Sequence, residues 1–367
     1  MNGNQSVDSN GEKERQVAEK FLSKFNLAVE DGSLSFGRFR SICEELFQPD
    51  EIQREEWRIQ DMFGLFDQDK DGVLKAQEWR RFCDWLRVTL NPVNALLVVD
   101  VQNDFIDGSL ALRKCEYKQD GAEVIQPFNY LIKNGRFDNV IYSLDWHPAD
   151  HISFYENLHL RELHPDSKVT KANAKPFDKV IFADPHLEQI LWPKHCVMNT
   201  WGAELHKDLV IAVDSKQVLK GTDPTIDAYS AFCDNSSKGY TELQAILQKL
   251  TVTHLYVGGL AYDVCVRATC LDGLRLGYTL AVIDDCCRGI DANNTKATKK
   301  LIAEKGGLIT NSQHVLAIVN EGKRSLVMSH QSARVIALND QNFSQSTPNE
   351  KIKKNALPCT CPNSVPE

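Results

Sequence analysis

Residues 255–269 read LYVGGLAYDVCVRAT, and this stretch decides how the rest of the chain is arranged. Leu255, Tyr256 and Val257 form an apolar, β-type run. Gly258 and Gly259 interrupt it, and an amphipathic helical pattern starts near Asp263. Cys265 therefore falls at the start of a helix, just past a parallel-type strand. A helix N-terminus carries partial positive charge and free N–H groups, which lower a thiol pKa. The thiolate is the nucleophilic form, so a catalytic cysteine would stand here. The plain alternative is a buried cysteine packing a helix on a sheet.

Working outward, five further strand-like runs occur at 95–99, 140–144, 209–213, 279–283 and 307–310, with helical patterns between them. This alternation predicts an α/β fold, a parallel sheet covered on both faces, with reactive residues beyond the carboxyl ends of the strands. The residues found there fit that placement. Asp100 opens DVQNDF. Asp145, His147, Asp150 and His151 crowd into DWHPADHISF. His195 lies in LWPKHC, and Lys220 lies in VLKGTDPTIDAYSAF. Each has a dull reading: a helix cap, a surface lysine, a packed core histidine, a strand-end hydrogen-bond pair. Together they supply a thiol, a carboxylate, a cation and an Asp–His–His metal set.

At 367 residues the chain is long enough for two domains. A formal charge of -8 argues against a general nucleic-acid binder. Residues 1–16 are polar with no apolar signal region, and no run is long enough to span a bilayer. Eleven scattered cysteines suit reduced thiols, so a cytoplasmic location is expected, with the nucleus as the alternative. A homo-oligomer is compatible with the sequence.

The first 90 residues differ in kind. Residues 1–13 are expected to be disordered. Four helical segments follow over 14–90, carrying Val17, Phe21, Leu22 and Phe25, then Phe39, Ile42, Cys43, Leu46 and Phe47, then Trp57, Met62, Phe63 and Phe66, then Trp79, Phe82, Cys83 and Leu86. Between the last two sits DQDKDGVLKAQE, 67–78. Asp67, Asp69 and Asp71 hold loop positions one, three and five, and Gly72 makes the turn. Val73 offers its carbonyl, and Glu78 closes at twelve. Hard oxygen ligands at this spacing are the EF-hand pattern for Ca2+. Lys75, at position nine, could contribute only through water or its backbone. Upstream, EDGSLSF (30–36) reads as a worn first copy: Leu27 and Arg38 stand where its end carboxylates would be. The region is expected to be a small all-α EF-hand pair with one working site.

The motifs DVQNDF, DWHP, LWPKHC, LKGTDPTIDAYSAF and GGLAYDVCV together resemble those of the nicotinamidases, in the isochorismatase-like cysteine hydrolases. The resemblance runs from about residue 95 to about 314. It implies a three-layer α/β/α sandwich on a mainly parallel six-stranded sheet, here assigned to 93–338. It also implies hydrolysis of nicotinamide to nicotinate and ammonia, a step of NAD salvage. By the same resemblance Cys265 is the nucleophile, Asp100 the general base and Lys220 the third catalytic residue. Asp145, His147 and His195 are the metal ligands, and His151 matches a histidine near the metal in some relatives. Phe105 and Trp192 flank the pyridine ring, whose nitrogen ligates the metal. A cis peptide at 260–261 lets the N–H groups of Ala261 and Cys265 form an oxyanion site. Zn2+ suits these ligands, with Fe2+ or Mn2+ as alternatives.

Two departures stand out. Tyr262 replaces a threonine frequent in relatives, and 157–190 reads as an insertion or flap near the metal. Lys323 onward reads as an edge strand or helix, and 339–367 as a disordered tail whose Cys359 and Cys361 are weak metal candidates. The competing readings are a related amidohydrolase acting on another small amide, and a Ca2+-responsive binding protein with a hydrolase scaffold.

Overall fold

The computed structural model describes residues 5–29 and 32–344. Ten strands occur among them: β1 (Leu34–Ser35), β2 (Val73–Leu74), β3 (Asn94–Val99), β4 (Asn139–Asp145), β5 (Lys179–Phe182), β6 (Leu187–Ile190), β7 (Lys216–Lys220), β8 (His254–Leu260), β9 (Thr279–Arg288) and β10 (Leu308–Thr310). Six of them form one sheet in the order β10-β9-β8-β3-β4-β7, and every neighbouring pair is parallel. A strand with both faces covered has no reason to alternate in polarity, and NALLVV of β3 is buried at every position. Its side chains divide by period two. Leu96 and Val98 enter a core with Phe128, Leu131 and Tyr142. Ala95, Leu97 and Val99 enter the other, with Leu243, Leu247 and Cys270. The sheet is thus sandwiched by helices.

One expected strand is misplaced. Residues 209–213 form no strand. Tyr142 donates its hydroxyl to Val210 O at 2.9 Å, and Ala212 N donates back to Tyr142 Oη at 3.0 Å. Side chains thus satisfy this backbone, and Val213 is 91% exposed. The edge strand is instead Lys216–Lys220, more polar because its outer face is open.

In the N-terminal part, helices Gln5–Ser23, Phe36–Leu46, Pro49–Phe66 and Gln77–Leu90 are present. The first begins well inside the stretch expected to be disordered. Once an amphipathic turn is nucleated, adding helical residues costs little, and the pair Arg15–Glu19 at 2.9 Å supports the solvent face. Ala18 and Leu22, rather than Val17, face inward, and Trp57 is exposed. β1 and β2 pair antiparallel, Leu34 opposite Leu74. Phe39, Phe66, Phe82 and Trp85 pack edge-on or tilted in one cluster. Each such burial contributes on the order of 2–3 kcal/mol.

This cluster is not self-contained. Leu326 and Ala333 of the helix Leu326–Ser344 complete it, so no separate all-α domain stands out. Trp85 Nε1 donates to Ser329 O at 2.8 Å. On its other side, Gln331 accepts from Leu280 N and donates to Leu280 O, at 2.8 and 3.0 Å, closing ladder groups of β9 beyond the end of β10. This helix reaches Ser344, past the expected start of the tail. Residues 345–367, with Cys359 and Cys361, lie outside the described residues, as do Glu30 and Asp31 of the worn loop. Among the described residues no helix is long and apolar enough to cross a membrane.

Candidate active site

The expected residues converge beyond the carboxyl ends of β3, β4, β7 and β8. Asp100 follows β3 with a left-handed backbone (φ 51°) that short polar residues tolerate best. Its amide donates to Ser143 O at 3.1 Å. Ser143 Oγ donates to Asp100 Oδ1 at 2.6 Å, which fixes the carboxylate. Lys220, at the end of β7, is fully buried. Its Nζ lies 2.9 Å from Asp100 Oδ2, contacts Asp145 Oδ1, and donates to Ala228 O at 3.0 Å and to Cys265 Sγ at 3.5 Å. The Asp100 Oδ2 contact is an ion pair without hydrogen-bond alignment, so that oxygen has no donor among the described residues. Asp100 and Cys265 present their reactive atoms within 4.8 Å of each other.

Burial and the nearby Asp145 raise the Asp100 carboxyl above its ordinary range, against the pull of Lys220. Asp145 is held well below it: burial opposes the charge, but Lys220 and His147 overcome this. Lys220 keeps its proton, because Asp100 and Asp145 outweigh burial. Cys265 departs from expectation. It sits in a π-helical turn, Tyr262–Val266, that leads into the helix Arg267–Arg275. Burial pushes its thiol well up, and the two carboxylates add to this against Lys220. A helix end worth a fraction of a charge does not offset two buried carboxylates.

Asp145, His147 and His195 form a second, buried cluster with ligand atoms mutually within 4.8 Å. Asp145 Oδ2 lies 3.6 Å from His147 Nε2 and 3.7 Å from His195 Nε2. His147 Nδ1 donates to Gly221 O at 2.8 Å, and His195 Nδ1 to Pro193 O at 2.7 Å. A carbonyl can only accept, so both rings carry a proton on Nδ1 and turn Nε2 toward Asp145. Position 221 must be glycine: its φ is +66°, and a Cβ there would stand 2.3 Å from the His147 ring. Two imidazoles and a carboxylate facing one point fit a divalent transition ion.

His151 lies beside this set, in a neighbouring cluster with His147 and Asp227. It stacks on His147 with ring centroids 4.1 Å apart. Its Nε2 lies 3.2 Å from Ile226 O and its Nδ1 2.7 Å from Ser153 Oγ. Burial pushes it down to about 3, and it stays neutral. It supports His147 by contact.

Phe105, Trp192, Asp145, His195, Ala261 and Cys265 line one narrow cavity. The 260–261 peptide is cis. Tyr262 is not in that lining. It packs in the core cluster that holds Val257, Val266 and Cys270. Sequence reasoning missed Asp227 and Tyr229, which also line the cavity. It also missed Gln189, a buried residue of the β5–β6 hairpin that donates to Asp227 Oδ2 at 2.9 Å. The 157–190 insertion therefore braces the cavity wall. The scaffolding role of DVQNDF was missed too. Gln102 brackets Asp145, donating to its carbonyl at 2.8 Å and accepting its N–H at 2.9 Å. Asp104 accepts Cys196 N at 2.7 Å and so holds the LWPKHC loop.

Comparison with known proteins agrees with this arrangement. The isochorismatase domain family matches residues 94–314. A nicotinamidase of Escherichia coli is 38% identical over 203 residues, covering 54% of this chain and 85% of that protein. A nicotinamidase of Saccharomyces cerevisiae is 37% identical over 205 residues, covering 54% and 89%. The solved structure of an Acinetobacter baumanii nicotinamidase/pyrazinamidase superposes with a TM-score of 0.52 at 35% identity, covering 62% of this chain and 99% of that one. With matches spanning most of these relatives' length, the chain belongs to the isochorismatase family and, within it, to the nicotinamidases.

Proposed function

We propose that this protein hydrolyses nicotinamide to nicotinate and ammonia through a cysteine thioester. The observation that carries this reading is the meeting of Cys265, Lys220 and Asp100 beside a buried Asp–His–His cluster at one cavity. Asp100 takes the Cys265 proton as sulfur bonds to the carboxamide carbon. Lys220 remains charged and balances the carboxylates. The N–H groups of Ala261 and Cys265 donate to the oxyanion, where loss of one donor typically costs about 3 kcal/mol. Collapse breaks the C–N bond, and the Asp100 proton leaves with ammonia. Water then attacks the thioester, Asp100 accepts its proton, and the thiol is restored as nicotinate departs. Phe105 and Trp192 sandwich the ring. Asp145, His147 and His195 would hold Zn2+, with Fe2+ or Mn2+ as alternatives, which supplies a Lewis-acidic anchor for the pyridine nitrogen. The decisive assay is ammonia release from nicotinamide by the full chain and by Cys265→Ala. An unchanged rate in the variant sinks the proposal. Rates across a panel of other small amides tell nicotinamide from a related substrate.

We also propose that the 67–78 loop binds Ca2+ and that 14–90 is an EF-hand pair whose first loop is metal-free. Asp67, Asp69 and Asp71 cluster within 4.8 Å. Asp67 Oδ1 and Glu78 Oε2 are buried without a partner, in side chains only 8% and 7% exposed. An orphaned buried carboxylate oxygen is costly, and two facing one loop suit a cation with the Val73 carbonyl as a further ligand. Lys75 pairs with Asp71 and would compete for it.

A further inference from the structure

The 157–190 insertion carries a residue that breaks a local rule. Lys175, Pro176, Phe177 and Asp178 form a turn closed by Asp178 N donating to Lys175 O at 3.1 Å. Pro176 holds its own φ at about −65°, while Phe177 has a φ of +75°. A negative φ followed by a positive one makes a type II turn, which wants glycine or asparagine at its third position. A bulky phenylalanine is strained there. Such backbone persists where its surroundings over-determine it, and it gathers at sites that hold ligands.

The turn is fastened to the approach to Trp192. Phe177 N donates to Leu191 O at 2.6 Å, and Leu191 N donates to Asp178 O at 2.9 Å. Both backbone groups of the residue before Trp192 are thus tied to it. The Trp192 backbone is tied as well: its N–H donates to Ser153 O at 2.7 Å, and its carbonyl accepts Tyr155 N at 2.8 Å. With the main chain fixed, the indole is placed by what touches its ring. Phe177 meets it edge to face, with centroids 5.8 Å apart and planes at 87°. Tyr229 meets it at 6.3 Å and 82°. Trp192 and Tyr229 line the cavity with Cys265, whereas Phe177 stands behind that lining and is 45% exposed. Burial of its own ring therefore does little to hold Phe177 in this turn. The contact with Trp192 is what a glycine would lack.

We propose that Phe177 is a positioning residue for the substrate ring: it backs the Trp192 indole, fixes the width of the slot, and so makes the insertion a determinant of selectivity for flat aromatic amides. This rests on Trp192 being one face of the slot in the hydrolysis proposed above. The test is steady-state ammonia release from nicotinamide by the full chain, as parent, Phe177→Gly, Phe177→Tyr, Trp192→Ala and the double variant Phe177→Gly with Trp192→Ala. Phe177→Gly suits the positive φ, so it should stay folded and melt close to the parent. Its KM should rise roughly two- to tenfold, the worth of one aromatic pair. Its kcat should change little, because Asp100, Lys220 and Cys265 are untouched. Phe177→Tyr keeps the ring and should hold KM at the parent value. In the Trp192→Ala background Phe177→Gly should add nothing, since it acts through that indole. Inhibition by cyclohexanecarboxamide, whose puckered ring is thicker than pyridine, should strengthen relative to that by benzamide in Phe177→Gly. A parent-like KM in Phe177→Gly, or an equal further rise without Trp192, would make Phe177 a turn residue only. Either result would overturn this proposal and leave the hydrolysis standing. A parent that releases no ammonia would overturn both.

Discussion

Lys220 holds its ammonium nitrogen 3.5 Å from the Cys265 sulfur while serving as counter-charge to two buried carboxylates. The two carboxylates oppose ionisation of the thiol while Lys220 favours it, and Asp100 stands within reach to take its proton as attack proceeds. Lys220→Met should therefore do two things. It removes the ammonium that pairs with both Asp100 and Asp145, so stability should fall by about 3–5 kcal/mol, read as a lower urea midpoint. It should also abolish ammonia release. Cys265→Ala should lose activity alone and keep its midpoint within about 1 kcal/mol of the parent. Equal stability of Lys220→Met and parent would show that the ammonium is not the counter-charge.

Asp100 reaches the sulfur but does not line the substrate cavity. Asp100→Asn keeps an acceptor for Ser143 Oγ and removes the proton acceptor. The expected result is a drop in kcat on the order of 10²–10⁴ with nicotinamide KM little changed. A raised KM with kcat preserved would assign Asp100 to binding instead.

His147 and His195 are each locked through Nδ1, so both Nε2 atoms are pre-set for a metal. Elemental analysis of the full chain should find about one transition ion, with affinity reduced at least roughly tenfold in His195→Ala. Chelation should raise nicotinamide KM more than it lowers kcat, because the ion anchors the ring. If KM stays fixed and only kcat falls, the anchoring role is wrong.

The parallel sheet was legible because β3, β4, β8 and β9 are apolar runs, and because Asp100, Asp145 and Cys265 each stand at the end of one or just past it. β7 was not, since an edge strand such as KQVLK carries polar residues on its open face while the apolar 209–213 run is tied down by Tyr142. The thiol's ionisation was misjudged because local sequence shows the helix end and hides the two carboxylates that arrive from other strands. Gln189 and Asp227 were invisible for the same reason. Their contact joins separate segments, and although Asp227 lies within VLKGTDPTIDAYSAF nothing in that run marks it as a partner of Gln189. His151 was offered by resemblance alone, and its stacking on His147 and the partners of its two nitrogens could not be read from the sequence.

Glu78 closes the 67–78 loop with one oxygen, accepting Gln68 N at 2.7 Å and Asp69 N at 3.2 Å, and leaves the other unpaired. Calorimetric titration of the full chain should show Ca2+ binding that Glu78→Gln weakens strongly. At a hundredfold excess over Kd the ion should stabilise the parent by about 2.7 kcal/mol. Activity should be followed in the same titration, since Trp85 links this region to the helix that packs on β9. Superposable melting curves with and without Ca2+ would rule the site out.

His254 gives a pH prediction independent of the catalytic groups. Burial alone pushes it down to about 4, against about 6.5 in an unfolded chain. The folded state thus refuses a proton that the unfolded state accepts. Above pH 6.5 both are neutral and the full stability is present. Between 6.5 and 4 the unfolded chain gains protons first, and stability falls by about 1.4 kcal/mol per pH unit, roughly 3 kcal/mol in all. Urea midpoints at pH 7 and pH 4.5 should therefore diverge more for the parent than for His254→Gln. The difference between the two proteins isolates this residue from the carboxylates that also titrate. Parallel losses in both would mean that His254 already takes up its proton in the folded state.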